Sequence, residues 1–262
     1  MIAAEAAAVA DDARRRLGVG HESPVPDILR LLEDNGVRVF GERLGLEGPD
    51  GAYRLTKGIP FILLNVSKPT QRMRFTLAHE YGHHLLSHGT RPPETVSTTS
   101  KDPREREANR FAAGFLMPGQ GVHLWLAGAG IAPEHVDLTA LCRMAAAFGV
   151  SVPAMRYRLE ELGILRRGTA QLKGLAKAIE AGEHRELIWR ESIPQVRDSL
   201  VDAHQRGYWV PLEFGRRLAR MLEGETLEED QVARHLPTGM TPDDLKVFLA
   251  EALVEAGEAN DL

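Results

Sequence analysis

Apolar positions fall mostly at helical spacing, with a short β-prone interlude before residue 66. Residues 2–17 are alanine-rich and predict a helix that ends at Gly18. Ser23-Pro24-Val25-Pro26 opens a second helix over about 27–35, with Ile28, Leu31 and Leu32 on one face and Gly36 as its stop. Three strand signals follow. Residues 37–40 alternate, 51–55 come after a Pro49-Asp50-Gly51 turn, and 59–65 form a compact β-prone run after Gly58. The pattern predicts an α+β fold in which a small antiparallel sheet packs against helices.

Pro69-Thr70 begins the next helix, which runs to about Ser87 and stops at Gly89. Residues 90–102 are rich in Pro, Ser and Thr without periodicity and predict an exposed loop. A further helix spans about 103–116, bounded by Pro103 at its start and Pro118-Gly119 beyond its end. Residues 136–165 carry two helical patterns joined at Gly149-Val150-Ser151, and a break follows at 166–168. From 170 to 257 only helical patterns appear, including the stripes Phe214, Leu218, Met221, Leu222 and Leu245, Phe248, Leu249, Leu253. There is no internal repeat. The resulting division is 1–135, a helix-turn-helix-like segment over 136–168, and an all-helical region over 169–262.

At 262 residues and 43% hydrophobic content, the chain can bury a sizeable core. A net charge of −5 argues against a dedicated nucleic-acid binder, which is usually basic. A single cysteine, Cys142, excludes an internal disulfide and fits a reducing compartment; its helical context predicts a small buried apolar residue. The first residues lack the charge order of a signal peptide, and no run approaches 18 apolar residues, so no membrane span is expected and the chain is read as cytoplasmic.

Chemistry enters at RFTLAHEYGHHLLSH, residues 74–88, where His79-Glu80-x-x-His83 lies on a predicted helix. Histidines four apart share a helix face and can reach one metal ion, and zinc accepts neutral imidazole well. Glu80, turned by about 100° from His79, stands beside the ion instead of on it. There it can take a proton from the attacking water and deliver it to the leaving amine. Phe75, Leu77, Leu85 and Leu86 supply apolar surroundings.

A catalytic zinc site needs a third protein ligand and an open position. The next helix offers Glu105 and Asn109, four apart on one face. Glu105 can bind the metal while Asn109 orients a histidine. Glu107, about 200° further round, is the alternative ligand. His84 and His88 are also four apart, but they lie about 100° off the His79/His83 face with no obvious acidic partner, and are read as surface or partly buried histidines. His123, His135, His184, His204 and His235 carry no ligand spacing.

The motifs RFTLAHEYGHHLLSH and EREANRFAAGFLMP resemble those of the ImmA/IrrE-type metallopeptidases. The strand at 59–65 and the segment FGVSVPAMRYRLEELGIL are also similar, so the likeness covers about 20–167. It implies a minimal zincin-type peptidase of the gluzincin class with one zinc ion per chain. Its ligands would be His79, His83 and Glu105, with Glu80 as the catalytic acid/base. It further implies a protein substrate, a helix-turn-helix repressor whose cleavage relieves repression in a mobile element or a stress or DNA-damage response.

Two readings accompany it. The strand before the metal helix, with Ile62, Leu63, Leu64 and Asn65, is the candidate edge for pairing with an extended substrate. Residues 141–160 share the small, turn and apolar positions of a helix-turn-helix, and the stretch from Thr139 to Arg167 carries Arg143, Arg156, Arg158, Arg166 and Arg167. That permits an alternative, a non-enzymatic DNA-binding or scaffolding regulator with a structural metal site. No residue is assigned to stabilise the oxyanion.

Overall fold

The computed structural model describes residues 2–90, 95–96, 100–223, 232, 236–237 and 240–254. The first helices are α1 (Ile2–Arg16) and α2 (Ile28–Asp34), followed by strands β1 (Arg38–Glu42), β2 (Gly51–Thr56) and β3 (Ile59–Asn65). The site helices are α3 (Thr70–Leu85) and α4 (Pro103–Leu116), followed by α5 (Gly119–Gly128). The remainder is helical: α6 (Leu138–Phe148), α7 (Val152–Glu161), α8 (Ala170–Glu180), α9 (Glu183–Arg190), α10 (Ser199–Arg206), α11 (Leu212–Glu223) and α12 (Pro242–Val254). The α+β class is as the pattern predicts. Helix α5 is additional: Pro118-Gly119 reads as a stop, but Pro118 is also the N-cap of a new helix.

The sheet has the order β1-β3-β2, so β3 is central. Strands β2 and β3 form an antiparallel hairpin across Lys57-Gly58, both left-handed with φ of 50° and 79°, the backbone a two-residue hairpin turn requires. Strand β1 pairs parallel with β3, from Arg38 opposite Phe61 to Glu42 opposite Asn65. The sheet is therefore mixed, which corrects the all-antiparallel expectation. Alternation and turn residues identify strands and hairpins, but the direction of β1 depends on how residues 43–50 cross the sheet. Asn65 fixes that crossing. Fully buried, its amide donates to the Gly45 and Pro49 carbonyls, both at 2.8 Å, and its Oδ1 accepts from the Leu44 and Ser67 amides.

One hydrophobic core joins α1–α7 and the sheet and continues through Leu172, Leu175, Ile193, Leu200 and Trp209. The core does not divide at 135/136 or at 168/169. A smaller cluster around Tyr208, Val210, Leu218, Leu245 and Phe248 packs on Phe40 of β1. His235 and the side chain of Leu253 lie outside the described residues. No strand is expected after 170, yet Trp209 forms a bridge to Gly41, with N···O distances of 2.8 and 3.1 Å. A Cβ on Gly41 would meet Trp209 at 2.8 Å, which is why glycine stands there.

Helices α6 and α7 meet at 100° across Gly149, whose φ is 64°, so the helix-turn-helix-like corner is present. Four of its five arginines bond within the protein: Arg143 to Glu191, Arg156 to Glu160, Arg158 to Glu161 and the Met117 carbonyl, and Arg167 to Glu160. Cys142 is buried, and burial pushes its thiol up to about 11. Among the described residues no single helix is long and apolar enough to cross a membrane.

Two buried charges brace the site. Arg74 of α3 bonds Asp198, the N-cap of α10, and donates to the Val25 and Pro26 carbonyls at 2.7 and 2.8 Å. Asp50, 2% exposed, accepts from Arg72 at 2.6 Å and from the Val96 amide at 2.8 Å, with Lys68 at 3.4 Å. Val96, inside the segment expected to be an exposed loop, is buried; most of its neighbours lie outside the described residues. Removing one partner of a buried ion pair costs about 3–5 kcal/mol. Arg74→Met is expected to lower unfolding stability by about that amount in a denaturant titration. Desolvation acts to raise the Asp50 carboxyl, but the Arg72 bond and charge, the Val96 amide and Lys68 outweigh it and hold it below its ordinary value. Its stabilisation is present above the unfolded pKa of about 3.9 and is lost as pH falls toward the folded value. Melting temperature should fall more steeply with acidification in the natural protein than in Asp50→Asn.

Candidate metal centre

Helix α3 runs from the sheet into the core, and its centre is buried on nearly every side. His79, Glu80 and His83 are all 2% exposed or less. Helix α4 begins at Pro103, capped by Asp102, whose Oδ1 accepts from the Arg104 amide at 2.9 Å. That start places Glu105 in the first turn, where the helix dipole favours an anion.

The two helices touch at Gly82. A Cβ there would stand 2.8 Å from the Phe111 ring. This close approach brings Glu105 over the histidines: its Oε2 is 3.1 Å from His79 Nε2 and its Oε1 is 3.2 Å from His83 Nε2. The two Nε2 atoms are 3.0 Å apart. Donors around a tetrahedral ion held at about 2.0–2.2 Å stand about 3.3 Å apart, so the three side chains fit a small divalent ion. Their ligand atoms converge within 4.8 Å of one another.

Each imidazole is fixed from behind. His79 Nδ1 lies 3.1 Å from Asn109 Oδ1, the orienting contact expected of Asn109. Because an amide oxygen only accepts, Nδ1 carries the proton and Nε2 presents its lone pair. His83 Nδ1 lies 2.9 Å from His88 Nδ1, and His88 Nε2 lies 2.9 Å from Glu107 Oε2. Glu107 is thus not among the converging ligands. His88 does have an acidic partner, contrary to the sequence expectation.

The reason is the end of α3. The helix stops at Leu85, Ser87 turns left-handed with φ of 57°, and the His88 amide donates to the His83 carbonyl at 3.0 Å. This is a Schellman turn. It folds His88 back beneath His83, so helical periodicity from His84 to His88 does not apply. The stop lies at Ser87, ahead of Gly89. His84 follows the expectation more closely: half-buried, it pairs through Nδ1 with the Tyr53 hydroxyl at 2.9 Å. His123 and His135 are exposed, and His204 Nδ1–H donates to the Val66 carbonyl at 2.8 Å.

Glu80 faces the start of β2: a Cβ on Gly51 would meet Glu80 Oε1 at 3.3 Å and Thr76 Cγ2 at 2.6 Å. Glycine at 51 therefore lets the strand pass over the carboxylate. The expected substrate edge does not survive this geometry. Ile62, Leu63, Leu64 and Asn65 are in the central strand, paired on one side with β1 and on the other with β2 or its preceding turn. Ile62 and Leu64 are core residues, and Asn65 is committed to residues 44–49. An apolar strand reads alike at the centre and the edge of a sheet, and only its partners tell them apart.

The Gly82 contact makes a specific demand. Alanine favours a helix over glycine by about 1 kcal/mol. Gly82→Ala is nevertheless expected to weaken divalent-metal affinity, because Phe111 must shift and carry Glu105 away from the histidines; competition with a chromogenic chelator reads the change. No curated protein matches this chain. Residues 32–160, about half of the chain, match the model of a peptidase family described as the IrrE N-terminal-like domain, and that span contains the whole His-His-Glu cluster.

Proposed function

We propose that the chain is a zinc-dependent endopeptidase that cleaves an extended segment of a protein substrate. The observation that carries this reading is the convergence of His79, His83 and Glu105 with Glu80 buried alongside. Two neutral imidazoles and a carboxylate are a ligand set that suits zinc and leaves a position open. Zinc, when bound, polarises the scissile carbonyl and makes water acidic enough to attack near neutral pH. Glu80 then takes the proton from the attacking water on its carboxylate and passes it to the amine as the C–N bond breaks. A site that only held the fold together would not need a carboxylate in that place.

Docking belongs to β2. Among the described residues it is the unpaired edge of the sheet, since Trp209 meets β1 on the other side. Its first residue lies against Glu80, and Arg54 and Leu55 are exposed along it. An incoming strand can pair there by main-chain hydrogen bonds while its side chains alternate toward the site. The substrate class, a helix-turn-helix transcriptional repressor whose destruction relieves repression in a mobile element or stress response, rests on the family resemblance.

The test is incubation of the zinc-loaded protein with a helix-turn-helix repressor. Glu80→Gln is expected to retain zinc and to lose at least ~100-fold in cleavage rate. A Glu80→Gln variant that cleaves at the natural rate overturns the enzyme reading. Proline at Arg54 and at Leu55, compared one at a time, removes one outward-facing and one inward-facing amide. The outward one is expected to raise KM with melting temperature unchanged, and equal KM for both against the natural protein removes β2 as the docking edge.

A further inference from the structure

Behind His83 runs a second line of groups that ligand spacing does not explain: His83 Nδ1 to His88 Nδ1 at 2.9 Å, then His88 Nε2 to Glu107 Oε2 at 2.9 Å. Only one arrangement of protons satisfies both contacts with neutral imidazoles. The Glu107 carboxylate can only accept, so His88 Nε2 carries a proton and donates it. His88 Nδ1 is then a bare acceptor, and the proton on that contact belongs to His83 Nδ1. His83 Nε2 is left with its lone pair directed at Glu105 and His79, where the metal ion would sit.

The chain is built into the fold. His88 side-chain exposure is 7%, and its ring lies 5.0 Å from that of His83 at 67°. Its position depends on the left-handed Ser87, a conformation that non-glycine residues rarely adopt. Glu107 comes from α4, the helix that also supplies Glu105 and Asn109. One short stretch of α4 therefore provides a ligand and the anchors of both histidines.

We propose that His88 and Glu107 are positioning residues for the metal centre: a carboxylate–imidazole relay that fixes the tautomer and ring angle of His83 and raises its basicity toward the ion. The relay rests on the metal-centre reading above. Outer partners of metal-bound histidines are typically worth about 10–100-fold in metal affinity. The relay makes two demands that a merely space-filling role does not. A side chain with an acceptor toward His83 and a donor toward Glu107 should replace His88. Moreover, Glu107 should matter only while His88 is present, because it acts through that ring.

The experiment measures zinc affinity by chelator competition and the visible absorption of the cobalt-substituted protein, in the full chain. His88→Leu is expected to bind zinc about 10–100-fold more weakly with an altered cobalt spectrum. His88→Gln, whose amide can accept and donate in the same sense, should recover much of the loss. Glu107→Gln should lose less than His88→Leu, and the double variant His88→Leu/Glu107→Gln should lose no more than His88→Leu alone. Zinc affinity and cobalt spectrum unchanged in both single variants overturn the relay, as does simple additivity in the double variant. Should His88→Leu not fold, Glu107→Gln, altered at a partly exposed side chain, carries the decision by the same two readouts. A natural chain that takes up no zinc overturns the metal centre itself, which separates that failure from failure of the relay.

Discussion

The site depends on how closely α3 and α4 approach. A metal centre of this kind needs atoms from two helices within about 3.3 Å of one another, while helix axes ordinarily pack 8–10 Å apart. Gly82 shortens that distance by letting the Phe111 ring rest where a side chain would otherwise stand. The aromatic layer of Tyr81, Phe111 and Phe115, with ring centroids 5.6–6.2 Å apart, then fills the space behind the contact. On an adjoining face of α4, Gly114 faces Ala10 of α1, and Ala6, Ala10 and Ala13 are buried. Small residues thus let α4 approach closely on both faces. Arg14 closes this packing by donating to the Phe115, Gly20 and Ser23 carbonyls, with burial pulling its guanidinium down to about 10.

The sheet approaches α3 by the same device. Gly51 lets β2 begin against Thr76 and Glu80, and Asp50 just before it is tied to Arg72 of α3 and to the Val96 amide. Glu80 is therefore enclosed by helix on one side and strand on the other. Enclosure of this sort keeps a proton-transfer group within reach of few waters, which strengthens its interaction with a developing charge. The same contact sets the place of the proposed docking edge, because the residue that touches Glu80 begins the open strand.

Most of the site was legible in the sequence because its parts are short-range. The pairs His79/His83 and Glu105/Asn109 each need only helical periodicity, and both helices have clear boundaries at Pro69 and Pro103. What was not legible arises where the chain leaves periodic structure. Ser87 adopts a left-handed conformation that its residue type does not announce, and this moves His88 from the far face of a helix to the back of a ligand. Strand β3 looks the same to a pattern search whether it has one neighbour or two, and Asn65 at its end gives no hint that its amide anchors a crossing eight residues long. In each case the missing information is a partner distant in sequence.

The helices after residue 168 belong to this argument as well. Arg74 lies on α3 five residues before His79, and it is held by Asp198 at the N-terminus of α10. Burial pushes the Asp198 carboxyl above its ordinary value against the pull of Arg74, so the pair is held under a desolvation cost that the surrounding fold must offset. Ser199 bonds Asp27, His204 bonds the Val66 carbonyl, and Trp209 bonds both Glu33 and the Gly41 backbone. These contacts land on α2, on β1 and on the residue that follows β3. Beyond Trp209, Phe214 packs edge-on to Phe40 at 5.7 Å, and Phe40 stacks on Phe61 of the central strand. The C-terminal helices thus grip both α3 and the sheet. Residues 169–210 consequently pack as part of the same folded unit as the matched span, and shortening the chain to that span would expose a buried arginine and a sheet edge together.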